Sequence, residues 1–533
     1  MKKLVTLFFA CLSIAWLNPV SAQYHLIVAA DGSGHFTSIS SAISAVVAAA
    51  QNGDLTGRAR IFVKNGVYNE PVRFGTHKTG YTNIPVSLIG ESRDGVIIQY
   101  NNYQYLIDNT YPDRTEGYDY YYGTAQCATM TINAEDFYAE NFTVRNTKDT
   151  SVYTTGLYIA GRRQAYKNIK VEAKRGAVYI RNGRPAFIMD SNIKGTQEMT
   201  CSNGTVVVYN SIFKTDGFDM SYSIPEDNVY YAVLGDGDTL RYGHIFRHCS
   251  FTANDTASAS SMYLAVPKSK NSSAMYMNCT LGAHINPVAI KTSSNALANL
   301  YSYFGEYNNI MADGVTPVDV TQRASNVRQM TDEVVQEFVY NNKIYNDFLS
   351  ADVLAADPDT VYFDPLKLVA PKGIPQNVTK NGTTLAWDAV EDAIGYVIYM
   401  DSAYVGMSEA NTFEATGTGT YTVCSVSESG ALSKSSASTS QQTYEELIAI
   451  LNNNISNYQA INTPETTTFS LVVSDGVISF ENETNCNVFN LSGQCLLSKT
   501  AQTEVSLKSF PKGVYIVKTM DAVYGNNITK IVR

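Results

Sequence analysis

Few arrangements of residues in this sequence could do chemistry. The most conspicuous is a basic stretch in which Arg162, Arg163, Lys167, Lys170, Lys174, Arg175, Arg181 and Arg184 face a single acid, Glu172. Such a cluster suits a polyanion. It sits, however, in a chain whose formal net charge is −10, which argues against nucleic acid as a general partner. The alternative is that these cations alternate around a surface and are merely solvated. His244 and His248 lie four apart in a strand-like run, where ladder or surface roles are more common than metal ligation. Asp236-Gly237-Asp238, with Asp216 and Asp219 upstream, lacks the further loop acids of a calcium site and reads as a turn. Tyr118, Tyr120, Tyr121 and Tyr122 could stack on sugar rings or pack as a loop core. There is no C-x-x-C pair and no Cys/His cluster of zinc spacing, so neither a metal nor another cofactor is expected. Cys486 and Cys495 are the one pair of cysteines whose spacing suggests a bridge, and the others read as buried thiols.

The elements that must position these residues are mostly strands. The chain is 44% hydrophobic and 17% charged with 37 tyrosines, which excludes a disordered protein and favours β-structure. Lys2 and Lys3, an apolar run from Leu4 to Leu17 and the small-residue site Val20-Ser21-Ala22 predict a cleaved secretory signal over 1–22. The apolar run is shorter than the 20 or so residues that span a bilayer, so the mature chain is expected to be exported. From about Ala128 to Leu281 a short β-rich run preceded by Asn, Asp or His recurs at Asn141, Asn168, Asp190, Asn210, His248 and Asn278. Its offsets of 27, 22, 20, 38 and 30 residues are solenoid periods with inserted loops. With apolar residues alternating inside each run and no helical pattern between runs, the expected fold is all-β, a right-handed parallel β-helix. It would be capped by an amphipathic helix within Phe36–Ala50 and would occupy 23–368.

Beyond Pro371 the texture changes to short alternating strands around Trp387, Gly395–Tyr399 and Tyr421–Val423. Residues 371–440 resemble a fibronectin type III domain, which would act as a spacer. Thr443 and Glu446 form a capping box for a short helix within a 441–465 linker. Residues 466–533 resemble the C-terminal sorting domains of the type IX secretion pathway of Bacteroidetes-type bacteria. The expected architecture is therefore a β-helix followed by two small β-sandwich domains. The sorting resemblance implies secretion machinery as a partner, and a secreted or cell-surface location on the outer membrane of a Gram-negative bacterium.

Five ordered stretches carry a more specific resemblance. Ala30-Asp-Gly-Ser-Gly-His-Phe, Val63-Lys-Asn-Gly-Val-Tyr-Asn-Glu70, Leu88-Ile-Gly-Glu-Ser92, Gly123-Thr-Ala-Gln-Cys-Ala-Thr-Met130 and Phe137-Tyr-Ala-Glu-Asn-Phe-Thr-Val resemble the pectinesterase (pectin methylesterase) family. Gly183-Arg184 and Phe304-Gly-Glu-Tyr-Asn-Asn309 extend the match. The resemblance implies action on methyl esters of homogalacturonan. One Asp attacks the ester, a second is general acid and then base, glutamines stabilise the oxyanion, and an Arg holds the nucleophile.

The motifs that carry those groups are degenerate here. The family's Q-D-T-L-Y stretch falls on Arg175-Gly-Ala-Val-Tyr179, replacing an oxyanion Gln by Arg175 and the acid/base Asp by Gly176. The V-D-F-I-F-G stretch falls on Gln197-Glu-Met-Thr-Cys-Ser202, which puts Glu198 at the nucleophile position. The first oxyanion Gln falls near Tyr153, and G-R-P-W falls on Ala265-Val-Pro-Lys268. Loss of general acid–base help costs about 10²–10⁴-fold and loss of an oxyanion donor about 10²–10³-fold. Two readings follow. In one, Glu198 is the catalytic carboxylate of an altered esterase. In the other, Arg175, Tyr179, Arg181, Arg184 and Lys268 line a basic cleft that binds de-esterified pectin or oligogalacturonide without hydrolysing it. A lyase reaction would need a calcium cluster facing a base, with only Asp216, Asp219, Asp236 and Asp238 on offer.

Overall fold

Asn141, Asn168, Asp190, Asn210, His248 and Asn278, the residues that mark the sequence repeat, all have φ between +47° and +63°. That left-handed region is open to Asn and Asp at little cost and closed to most other side chains. Each stands at the corner where one strand ends and the chain turns into the next sheet. The corners bond to one another along the stack, Asn168 Nδ2 donating to Asn141 Oδ1 at 2.7 Å and Asn210 Nδ2 to Asp190 Oδ1 at 2.6 Å. The repeat seen in the sequence is thus the turn of a parallel β-helix.

The computed structural model describes residues 24–75, 84–106, 123–181, 185–216, 221–226, 231–233, 239–254, 259–295, 302–335, 364–452, 471–474, 477–489, 495–511, 514–521 and 525–532. The expected signal peptide, the tyrosine cluster at 118–122, Arg184, Asp219, Asp236 and Asp238 lie outside the described residues. Among the described residues, three parallel sheets of 11, 9 and 7 strands run along the solenoid. Apolar side chains stack in register inside it. Ile61, Leu88, Ala139, Tyr166, Ile188, Val208, Phe246 and Tyr276 form one continuous column, all buried. Helix α1 (Ile39–Gln51) caps the N-terminal end, with Ser38 as N-cap and the Glu70 carboxylate accepting from the Ile39 and Ser40 amides at 2.7 and 3.0 Å. Both carboxylate bonds fall where the helix dipole is positive.

The seven-stranded sheet positions the site. Its strands in chain order are β1 (Val72–Phe74), β2 (Met130–Ile132), β3 (Leu157–Ile159), β4 (Val178–Ile180), β5 (Thr200–Ser202), β6 (Ser221–Pro225) and β7 (Tyr263–Ala265). Alternation sends Leu157, Ile159, Val178 and Ile180 into the core and leaves Tyr158 and Tyr179, paired across the ladder, on the outer face.

The 371–440 region forms two three-stranded antiparallel sheets, and it is not a spacer. The outer face of the 11-stranded sheet carries a second apolar column, Tyr138, Ala165, Phe187, Val207, Ile245 and Met275. It shares one core with Val397, Tyr399, Val426 and Leu432, and with Leu366 and Val369 of α2 (Pro365–Val369). Polar bonds pin the contact: Tyr24 Oη to Gly430 O (2.8 Å), Tyr404 N to Glu91 Oε1 (3.0 Å) and Leu432 N to Glu140 Oε2 (3.3 Å). A spacer would leave those columns in water, at about 1.5–3 kcal/mol for each large apolar side chain. The capping box of α3 (Tyr444–Asn452) forms as expected, Thr443 N donating to Glu446 Oε2 and Glu446 N to Thr443 Oγ1. The C-terminal region is a five-stranded antiparallel sheet. The expected Cys486–Cys495 bridge does not form. Cys486 is a buried free thiol opposite Lys499, while Cys495 lies opposite Phe489. Three residues along a strand is about 10 Å, beyond the roughly 7 Å that a disulfide can close.

Candidate functional site

Gly176, two residues before strand β4, has φ +70°. A side chain there would be strained, and its Cβ would come within 2.5 Å of the Tyr153 ring. The position at which the family resemblance expects an acid/base carboxylate is therefore filled from the side by an aromatic ring. Tyr153 meets Tyr179 edge-on with centroids 6.1 Å apart, and Tyr179 stacks on Tyr158 at 5.2 Å and 4° between planes. The three rings form an aromatic floor on the outer face of the sheet, with Tyr158 buried and Tyr153 and Tyr179 partly exposed.

At one end of that floor lie Arg175 and Glu198. The Arg175 guanidinium grips both carboxylate oxygens, Nε to Oε2 at 2.8 Å and Nη2 to Oε1 at 2.9 Å. It also donates Nη1 to the Ser151 carbonyl at 2.9 Å and stacks over the Tyr153 ring at 4.7 Å. Such a planar fork fits a carboxylate better than any lysine could. Glu198 is buried, at φ +54°, and its amide donates to Ser221 O at 2.8 Å. Burial above all, with Cys201 and Glu198 adding, pushes the Tyr153 phenol far above its ordinary range, which makes it a poor proton donor or base near neutrality. Cys201, next to Tyr179 in register, is a buried thiol raised well above its ordinary range by desolvation. It is held protonated and is no nucleophile.

The other end of the floor carries Arg181, whose Nη1 donates to Tyr158 Oη at 3.2 Å. Glu226 and Lys268 sit on the same edge of the sheet, the Glu226 amide bonding to Ser202 O and the Lys268 amide to Pro225 O, both at 3.1 Å. Burial raises the Glu226 carboxyl, while Lys268 and Arg181 pull it back down. Glu226 was not singled out from the sequence. Its only signal would have been its place one residue after a strand in the same column as Arg181.

The structure thus brings Arg175, Glu198, Tyr179, Arg181 and Lys268 onto one face, and it neutralises most of the basic stretch of the sequence. Six of the eight clustered cations already have acids. Arg162 pairs with Glu135, Arg163 with Glu135 and Asp136, Lys167 with Glu140, Lys170 with Glu172, Lys174 with Asp149, and Arg175 with Glu198. Four of these six acids, Glu135, Asp136, Glu140 and Asp149, come from the preceding rung, 25–28 residues away, so a local count of charges could not register them. His244 points into the solenoid core, with Nδ1 2.7 Å from Ser223 Oγ. His248 occupies a corner against Tyr209, so the two do not converge. Asp216 bonds to Lys194 and Asn254. Among the described residues no cluster of His, Cys, Asp and Glu is arranged to hold a metal ion.

Comparison with known proteins bears on this fold and site. The profile described as Pectinesterase matches residues 25–347, well over half of the sequence. The chain belongs to the pectinesterase family. Residues 471–532 match a secretion system C-terminal sorting domain. Among curated relatives, a probable pectinesterase/pectinesterase inhibitor 6 of Arabidopsis thaliana is 26% identical over 293 residues, covering 55% of this chain and 47% of that protein. Probable pectinesterase 56 of the same plant is 26% identical over 230 residues, covering 43% of this chain and 70% of that protein. The chain thus spans about half the length of the first of these relatives. Among solved structures, pectin methylesterase from carrot aligns at TM-score 0.48 and 20% identity, over 62% of this chain and 96% of that one. Pectin methylesterase from Aspergillus niger aligns at 0.44 and 17%, over 58% and 92%.

Proposed function

We propose that this pectinesterase-family chain binds homogalacturonan-type pectin on its tyrosine floor and does not cleave the methyl ester by a two-carboxylate mechanism. The observation that carries this is the state of the two carboxylate positions. Glu198 has both oxygens locked in the Arg175 fork, and the second carboxylate is Gly176, its space closed by Tyr153. A carboxylate nucleophile needs a neighbour to carry the proton, and with Gly176 at the second position this site offers none. What remains suits carbohydrate recognition: the partly exposed Tyr179 ring for a sugar face, and Arg181 and Lys268 for carboxylates. The C-terminal sorting domain supports display of this binding site outside the cell.

A second reading, an esterase using Glu198, draws on one specific feature. The carboxylate is oriented by an arginine, as the family resemblance expects of a nucleophile. Both readings are tested on the full mature chain. Titration with oligogalacturonides should show binding, and incubation with highly methylated pectin should release no methanol. Methanol release that disappears in Glu198→Gln would overturn the binding-only reading and establish the esterase.

A further inference from the structure

Within the binding reading, the charges at the far edge of the tyrosine floor imply a means of selection. Arg181, Glu226 and Lys268 follow the ends of three strands of one parallel sheet, at the same edge. Neighbouring rungs of such a sheet are about 4.8 Å apart. Arg181 and Lys268 each act electrostatically on Glu226, and Glu226 acts in turn on Tyr179. The order along the edge is Arg181, Asn203, Glu226 and Lys268, so Glu226 stands one rung from Lys268 and two from Arg181, beside the stacked Tyr158 and Tyr179 rings.

We propose that Glu226 is a specificity-determining residue that occupies the field of Arg181 and Lys268 and so sets how strongly they attract the free carboxylates of a uronic-acid chain. An ionised Glu226 competes with an incoming carboxylate for the same two cations. A protonated Glu226 leaves both cations to the ligand. A methyl-esterified chain brings no charge and does not feel the difference.

The groups that face Glu226 fix the direction. Arg181 after β4 and Lys268 after β7 favour its charged form, whereas its burial opposes that form and prevails, and the nearby Tyr179 phenol and Cys201 thiol are held neutral. Its proton is therefore held to higher pH than that of a solvated uronate, which opens a window in which the uronate is ionised and Glu226 is not. Affinity for a de-esterified chain should fall as pH rises through that window, while affinity for an esterified chain stays level.

The test rests on the binding reading and uses the full mature chain, titrated with de-esterified and with fully methylated oligogalacturonides between about pH 5 and about pH 8. Glu226→Gln should bind the de-esterified ligand about two- to fivefold more tightly at the upper pH, a size typical of one solvent-accessible charge. It should also lose the pH dependence and leave the methylated ligand unaffected. Arg181→Ala and Lys268→Ala should each weaken only the de-esterified ligand. If the wild-type chain binds but Glu226→Gln leaves affinity and pH profile as they were, the Glu226 proposal is wrong and the binding reading stands. If the wild-type chain binds neither ligand at either pH, both fall together.

Discussion

At the scale of single residues, Arg175, Gly176 and Glu198 depart from the family pattern, and their neighbours have closed around them. Arg175 and Glu198 form one bidentate pair in which Glu198 is almost entirely buried and Arg175 about a quarter exposed. Removing one partner strands the other, so Arg175→Ala should lower stability by about 1–3 kcal/mol, less than a fully buried pair because water reaches the arginine. Urea unfolding of the two chains measures it. Gly176→Asp, the change that would restore a carboxylate, should also destabilise, by about 1–3 kcal/mol, through its positive φ and its clash with Tyr153. Adding Tyr153→Ala should recover the part due to the clash and leave the part due to φ. Full recovery by the second substitution would show that backbone strain plays no role there.

The corner residues govern the next scale, that of the rung and the docked module. Asn168 combines positive φ with a side-chain bond to Asn141, so Asn168→Ala should cost about 1–2 kcal/mol, where an exposed strand position would cost a few tenths. Thermal unfolding of the two variants side by side compares them. The 371–440 module belongs to the same energetic unit as the solenoid, because the columns through Tyr138, Phe187 and Ile245 share one core with its Val397, Tyr399, Val426 and Leu432. A chain ending at residue 368 should therefore bind a hydrophobic dye and self-associate, unlike the mature full-length chain. An equally monomeric and stable fragment would mean that the docking contributes little.

For the molecule as a whole, pH acts through its buried histidines. His25, His244 and His284 are pushed down to about 4, burial being the first cause of each. A base whose pKa is lower folded than unfolded takes up its proton first in the unfolded chain, so stability rises with pH between the two values. The window runs from about 4 up to about 6.5. The urea midpoint should climb through this range, and the climb should shrink when His244, the most deeply buried of the three, is replaced by Gln. The net charge of −10 and the rung-to-rung ion pairs together leave the surface without a large basic field, so ligand binding should depend only modestly on salt.

Much of this was open to reading in the sequence. The period of Asn and Asp corners, the alternation within runs, the capping box at Thr443 and Glu446 and the family motifs are all local patterns. Local sterics and hydrogen bonding dictate them, so a linear chain displays them. The sequence likewise marked positions 175, 176 and 198 as altered. It could not display what depends on neighbours 20 or more residues away. Arg162 and Lys167 looked like free cations because their acids lie one rung back. Residues 371–440 looked like a spacer because nothing local says that Tyr138 and Phe187 point outward and need a cover. Glu198 looked available because its partner Arg175 stands on another strand. Winding the chain into rungs makes such distant residues into neighbours across a strand spacing of about 4.8 Å. Only then did the charges find their partners, and only then did a site that had seemed basic become a tyrosine floor with one ion pair closed at one end and Arg181, Glu226 and Lys268 at the other.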